Sequence, residues 1–224
     1  IQDLCFPEED GVPEFSGSGE IAVINYPHIS NTSDLELLPP EKTVMADSPD
    51  KLDDAELIIL PGSKNTVKDM EWMKNNSIAD KIIEKSKESV VFGICGGLQM
   101  LGEKITGNNI EAGEVEGLCL KDFETEFSQE KTLKQINYGF DGETFQGYKI
   151  HYGDSVIEDK NLFEVESGQE GFFDGNIGGT YIHDSLRNQN FLEWLMSQAG
   201  IDVEIQFSDI SRIKQILKKE VDFL

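Results

Sequence analysis

The stretch Val90-Val91-Phe92-Gly93-Ile94-Cys95-Gly96-Gly97-Leu98-Gln99-Met100-Leu101-Gly102 decides the fold. The apolar run VVFGI is short and shows no polar alternation, so it reads as a strand buried on both faces. Glycines then surround a cysteine, and a helix follows through Leu98, Met100 and Leu101. Strand, tight turn and helix in that order form the layout of a nucleophile elbow. A side chain held in a strained turn needs small neighbours to avoid clashes. A helix N-terminus favours a thiolate. The N–H that follows the nucleophile, here that of Gly96, is placed to stabilise an oxyanion. The competing reading is a buried structural cysteine in a glycine-rich turn. A phosphate-binding turn does not fit, because GICGG lacks both the GxGxxG and the GxxxxGK[ST] spacing.

Working outward, Ile21–Asn25 (IAVIN) lies between Gly19 and Pro27 and reads as a second buried strand. Ile58–Leu60 stops at Pro61-Gly62 and reads as another. From Ser77 to Glu88, Ile78, Ile82 and Ile83 share one face of an amphipathic helix. Strands separated by a helix imply a parallel sheet in an α/β domain. From about Gly113 to Tyr152 glycines recur among alternating Thr, Phe and Tyr, which predicts antiparallel hairpins. Thr180–His183 reads as a short strand after Gly178-Gly179, and Asn190–Gln198 as a helix. Ser208 is the expected N-cap of a C-terminal helix whose apolar stripe runs from Ile210 to Leu224. Residues 1–19, rich in Pro and Gly, read as a lead-in or linker, leaving 20–224 as the domain. The expected fold is thus α/β: an open, mostly parallel sheet flanked by helices, with an antiparallel β-hairpin region in the second half.

The 224 residues carry 19 Lys and Arg against 43 Asp and Glu, a formal net charge of -24. Such a chain repels phosphate backbones and anionic bilayers, so neither nucleic acid nor a membrane is an expected partner. No apolar run reaches the roughly 18 residues that span a bilayer, and no signal peptide is visible. Three scattered cysteines, Cys5, Cys95 and Cys119, argue against a disulfide framework and fit a reducing cytoplasm. Without a CxxC pair or HExxH, no metal site is expected.

A cysteine nucleophile needs a base, and the chain holds three histidines. His183 closes a predicted strand, and strand ends of an α/β sheet are where reactive side chains project. It is the favoured base. His151, in Tyr148-Lys149-Ile150-His151-Tyr152-Gly153, is a weaker candidate, and His28, beside Pro27, reads as structural or surface. The loop Leu60-Pro61-Gly62-Ser63-Lys64-Asn65-Thr66 follows a strand and could present N–H groups opposite Cys95. It could equally be an ordinary turn with a helix cap at Asn65 or Thr66.

GICGGLQMLG resembles the nucleophile motif of class I glutamine amidotransferases, a flavodoxin-like family. ILPGSKNTVKDMEWM, PHISNTSDLELL, ETEFSQEKTLKQI, GYKIHYGD and GTYIHDSLRN are similar to segments of the glutaminase domain of cobyric acid synthases. The resemblance runs from about Ile21 to the C-terminal segment. It implies that Cys95 attacks the side-chain carboxamide of L-glutamine and that His183 activates the thiol and protonates departing ammonia. It further implies that Gly62 and Gly96 form the oxyanion hole and that Gln99 shapes the pocket. The ammonia would pass to an ATP-dependent synthetase domain that binds a corrinoid. ATP and magnesium are expected there, with no cofactor in the glutaminase domain itself.

Two departures stand out. Many class I amidotransferases carry His-x-Glu, but here Ser185 holds the glutamate position and Asp184 replaces a usual glycine. The orienter of His183 is therefore unassigned, and Asp184 is expected to point away from it. Second, no P-loop or ATP-grasp-like segment is present among these residues. Other readings are a glutaminase subunit that serves a Mur-ligase-like partner in lipid II amidation, and an amidotransferase-like domain that only binds. A diazo-ketone analogue of glutamine is expected to alkylate Cys95 and to spare Cys5 and Cys119. Peptide mass spectrometry that finds the adduct elsewhere contradicts the nucleophile assignment.

Overall fold

Uniformly apolar runs cannot leave a face to water, so the sheet they form must be covered on both sides. A computed structural model, describing residues 13, 15–158 and 160–202, shows this arrangement. Along the chain come β1 (Ile21–Ile24), β2 (Thr43–Ala46) and β3 (Leu57–Leu60). Helices α1 (Thr66–Asn75) and α2 (Ile78–Lys85) follow, then β4 (Val90–Ile94) and α3 (Gly96–Met100). The long strands β5 (Glu124–Phe140) and β6 (Glu143–Ser155) come next, before β7 (Phe172–Asp174), β8 (Ile177–Thr180) and α4 (Gln189–Gln198).

The central sheet has the order β7-β8-β4-β3-β1-β2. All its pairings are parallel except that of β7 with β8. Every residue of β1, β3, β4 and β8 is buried, as the apolar runs require. The hairpin β5–β6 anchors a second sheet, antiparallel except where Lys104–Thr106 runs alongside β5. The hairpin expected over 113–152 is therefore present, and it extends to Ser155.

One expectation needs correction. The strand predicted over Thr180–His183 is Ile177–Thr180, so Gly178 and Gly179 lie inside it and His183 lies beyond its end. A Cβ on Gly179 would come within 2.8 Å of Gly93 O, and close contact with β4 explains glycine in a strand interior. Segments not read in the sequence include β2, whose TVMA opens on a threonine, β7, and α1 beyond its expected cap, which carries a mostly polar surface. The C-terminal helix expected from Ser208 onward lies outside the described residues, as does most of the 1–19 lead-in. Of that lead-in, Gly17 and Ser18 donate to the carbonyls of Thr43 and Glu41.

The tightest packing is at the elbow. A Cβ on Gly97 would sit 1.9 Å from Leu60 O, and one on Gly93 would sit 2.5 Å from Gly97 O. Both obstacles are backbone, so neither can move aside cheaply. Gly97→Ala is expected to cost about 3 kcal/mol or more by forcing α3 off β3 and β4. A melting midpoint equal to the wild type's would contradict this close approach.

Candidate active site at the carboxyl edge of the sheet

Four segments converge where the parallel strands end: those following β1, β3, β4 and β8. Crevices outside strand carboxyl ends are where open α/β sheets hold their ligands. Cys95 leaves β4 with φ 52° and ψ −107°. This is a strained conformation for a residue with a Cβ. Its N–H donates to Thr180 O at 2.8 Å, and its carbonyl accepts the Gln99 N–H at 3.1 Å. The helix after it lasts only five residues, so it supplies the local N–H groups of one turn rather than a long aligned dipole. The thiol lies 3.5 Å from Ile150 O of β6.

His183 is fully buried. Its backbone is docked to that of Tyr148 through His183 N to Tyr148 O at 2.8 Å, and the Tyr148 ring stacks on the imidazole at 5.1 Å. The Cys95 side chain lies close enough to the imidazole to favour its protonated form. Nδ1 lies 2.8 Å from Oδ2 of Asp34, a carboxylate that is itself 1% exposed. The missing orienter of His183 is thus Asp34, 149 residues upstream, on the single-turn helix Thr32–Leu35 that follows β1. Burial pulls the imidazole downward, but the hydrogen bond to Asp34 and the Cys95 side chain outweigh it, and His183 is held up to about 10.

Asp184 and Ser185 do not take the orienting place. Asp184 accepts from Ser33 Oγ at 3.2 Å and faces the Arg187 guanidinium at 3.7 Å. Burial and the nearby Asp34 charge raise its carboxyl to about 6. The hydroxyl of Ser185 is buried and has no hydrogen-bond partner among the described residues.

The Gly62–Ser63 pair forms a two-stranded ribbon with Ile29–Ser30. A Cβ on Gly62 would lie 3.2 Å from His183 Cε1, and one on Gly96 would lie 2.9 Å from Ser63 N. The fold therefore brings Gly62, Gly96, Cys95 and His183 together. Asp69, in the first turn of α1, braces this loop. It accepts from Ser63 Oγ at 2.5 Å and meets His28 Nδ1 at 2.7 Å, which gives His28 a structural place. Asn65 caps α1 by accepting from Lys68 N, as one reading of the loop expected.

Gln99 is buried, and its amide is committed to protein partners. It accepts from Thr66 Oγ1 and donates to Gly153 O and Tyr181 Oη, each at 3.3 Å. It shapes the pocket by holding those walls. His151 stacks on Tyr181 at 4.1 Å and bonds Gly153 O through Nδ1 at 2.8 Å. Burial lowers its pKa. It is a wall of the same site, one step from the Cys95–Ile150 contact. Among the described residues no group of three His, Cys, Asp or Glu could hold a metal ion, and no helix is long and apolar enough to cross a membrane.

Asn31 and Asp34 were missed as site residues. The segment PHISNTSD follows a strand, and strand ends build such sites, so that position was the available signal. A lone Asp far from Cys95 and His183 in sequence carries no spacing that reveals its target.

Comparison with known proteins agrees with this geometry. Residues 20–191 match the family described as CobB/CobQ-like glutamine amidotransferase domain. A probable cobyric acid synthase of Methanothermobacter thermautotrophicus is 35% identical over 99% of this chain and 53% of its own length. That of Thermoplasma acidophilum is 36% identical over 94% of this chain and 47% of its own. A cobyric acid synthase of Clostridium botulinum is 34% identical over 99% and 50%. The chain spans about half the length of these relatives. A solved structure titled as a glutamine amidotransferase superposes with a TM-score of 0.63 over 81% of this chain and 99% of its own, at 17% identity, and so shares the fold. The matched span covers the elbow, the Asp34 turn and the His183 segment, and the chain belongs to the CobB/CobQ-like glutamine amidotransferase domain family.

Proposed function

We propose that this domain hydrolyses L-glutamine through a cysteine thioester and releases ammonia for ATP-dependent amidation of corrinoid carboxylates in cobalamin biosynthesis. The observation that carries the reading is the buried chain Cys95–His183–Asp34 at the carboxyl edge of the sheet. Asp34 accepts from Nδ1–H, which leaves Nε2 as the basic nitrogen. Nε2 holds the proton that Cys95 gives up, and the sulfur attacks the carboxamide carbon. The oxyanion forms beside the N–H groups of Gly96 and the Gly62 loop. The same proton then passes to the departing nitrogen, which leaves as ammonia with a γ-glutamyl thioester behind. Water activated by His183 completes hydrolysis.

The acceptor chemistry belongs to a synthetase half, which the doubled length of the relatives supports. ATP and magnesium would act there by activating the carboxylate, and no residue of this chain is assigned to either. A reducing, cytoplasmic compartment suits a site whose nucleophile is a free thiol.

Cys95→Ala is expected to abolish glutamine-dependent amidation by the full enzyme and to preserve amidation from added ammonium salt. Equal loss of both activities would sink the assignment. Asp34→Asn keeps the shape of the side chain but removes its charge, so kcat should fall by about 10²-fold or more with little change in KM. The pH profile gives a second readout. His183 is raised, so its protonated form, the acid for the leaving ammonia, persists below about 10 and is lost above. Without the Asp34 charge that pKa falls, and the alkaline limb of the rate should move to lower pH. A limb that stays in place would remove Asp34 from this role.

A further inference from the structure

The nitrogen of His183 that exchanges protons with Cys95 has a second polar neighbour. Asn31 Nδ2 lies 3.3 Å from Nε2. Its other amide atom, Oδ1, accepts from Tyr148 Oη at 3.3 Å, and Nδ2 also reaches Ser30 Oγ at 3.4 Å. Tyr148 Oη also lies within reach of Ser33, whose hydroxyl donates to Asp184 Oδ1. Apart from the imidazole, each of these side-chain partners of the Asn31 amide is a hydroxyl. A hydroxyl can donate or accept according to how its hydrogen turns.

That composition matters because Nε2 changes character during the proposed reaction. Once the proton has passed to ammonia, neutral His183 keeps Nδ1–H on Asp34 and presents a lone pair at Nε2, and the Asn31 N–H suits it. While Nε2 carries the proton it is a donor, and an amide N–H facing it is a mismatch. Buried polar groups left without a partner are costly. Turning the amide by half a rotation puts Oδ1 on Nε2–H. Nδ2 then donates to Tyr148 Oη, and the Tyr148 hydrogen swings onto Ser33 Oγ. Ser30 Oγ likewise changes from acceptor to donor. Both arrangements give Nε2 a matched partner, and no covalent bond changes.

We propose that Asn31 is a positioning residue for the proton at His183 Nε2. Its amide turns over as that proton arrives and leaves, and the Tyr148 and Ser30 hydroxyls re-aim in step. The idea deepens the glutaminase reading and rests on it for the choice of substrate. It goes beyond Asp34, which holds the opposite nitrogen and keeps the same role throughout. It also gives Tyr148 two separable functions: its ring stacks on the imidazole, and its hydroxyl serves the amide.

The rival explanation is that Asn31 is present for its backbone, since φ 53° and ψ 53° suit Asn better than most residues. Glycine tolerates the same conformation, so Asn31→Gly deletes the amide and leaves the turn unstrained. The test is a double-mutant cycle with Tyr148→Phe, which keeps the ring and removes the hydroxyl. Glutamine hydrolysis is measured in the full-length enzyme, and iodoacetamide alkylation of Cys95 is followed in parallel by peptide mass spectrometry. Asn31→Gly should lower kcat about tenfold with KM changed less than about twofold, and Tyr148→Phe should lower kcat about threefold. The double variant should be no slower than Asn31→Gly, because the hydroxyl acts through the amide. Alkylation should slow in the same order. Wild-type kcat and alkylation in Asn31→Gly would overturn the proposal. So would losses that multiply in the double variant. Should Asn31→Gly fail to fold, an undiminished rate in Tyr148→Phe overturns it alone. Absence of glutamine hydrolysis in the wild-type enzyme would instead overturn the glutaminase reading, and the alkylation series, which needs no glutamine, would still decide the role of Asn31.

Discussion

The structure depends on one steric constraint: the backbone of Gly97 lies against the carbonyl of Leu60, closer than any side chain permits. Because α3 starts so near β3, the chain leaving β4 must reverse within a single residue. Cys95 absorbs that reversal in its positive φ. The strain is local and is held by neighbours on both sides, with the Cys95 N–H on Thr180 O of β8 and Gly97 against β3. The thiol is thereby lifted out of the sheet toward β6 and His183. Relaxing the turn would pull it back among the strand ends, so the glycines serve geometry first and chemistry through it.

The same carboxyl edge gathers the other parts, although they are far apart in sequence. β1 delivers the Asn31–Asp34 turn, β3 the Gly62 loop, β4 the cysteine and β8 the histidine. Parallel strands all end at the same edge, so four loops face one crevice without any of them being long. The β5–β6 hairpin closes the side that the sheet leaves open. It does so through Tyr148, whose backbone bonds His183 and whose ring covers it. Two of the segments that carry the family resemblance, PHISN and GYKIHYG, therefore meet at the imidazole.

Most of the fold was legible because burial on both faces leaves an unmistakable apolar run. β1, β3 and β4 were readable on that basis, and Cys95 through the glycines that its turn demands. β2 was not, since it opens on Thr43 and, at a sheet edge, leaves Val44 and Met45 only half-buried. β8 was misplaced because its glycines, read as a turn, are the price of lying against Gly93. Within the site, His183 followed from strand-end logic, Gly96 followed from the elbow, and Gly62 came with the resemblance. Asp34 did not follow from either, because an interaction across 149 residues has no local pattern. The expected glutamate two residues after the histidine directed attention to Asp184 and Ser185. A turn that curls back from β1 supplies the carboxylate instead.

The acidic composition also takes on a second meaning inside the molecule. Among the described residues most acidic side chains face water, where they set solubility and little else. Four of the described ones are buried, and they brace the elements around the site. Asp34 fixes His183, and Asp69 fixes Ser63 and the loop after β3. Glu111 accepts the free Val67 N–H at the start of α1, and Glu170 accepts Tyr181 N while pairing with Lys149. A buried carboxylate is costly unless its oxygens are bonded. Backbone N–H groups, a serine, two histidines and a lysine offset most of that cost, while Asp34 Oδ1 has no hydrogen-bond partner among the described residues. Surface charge tolerates substitution with little change in stability, whereas removing any of these anchors strands its partner in the interior. The acidic residues that matter to the site are therefore the few whose partners are buried with them.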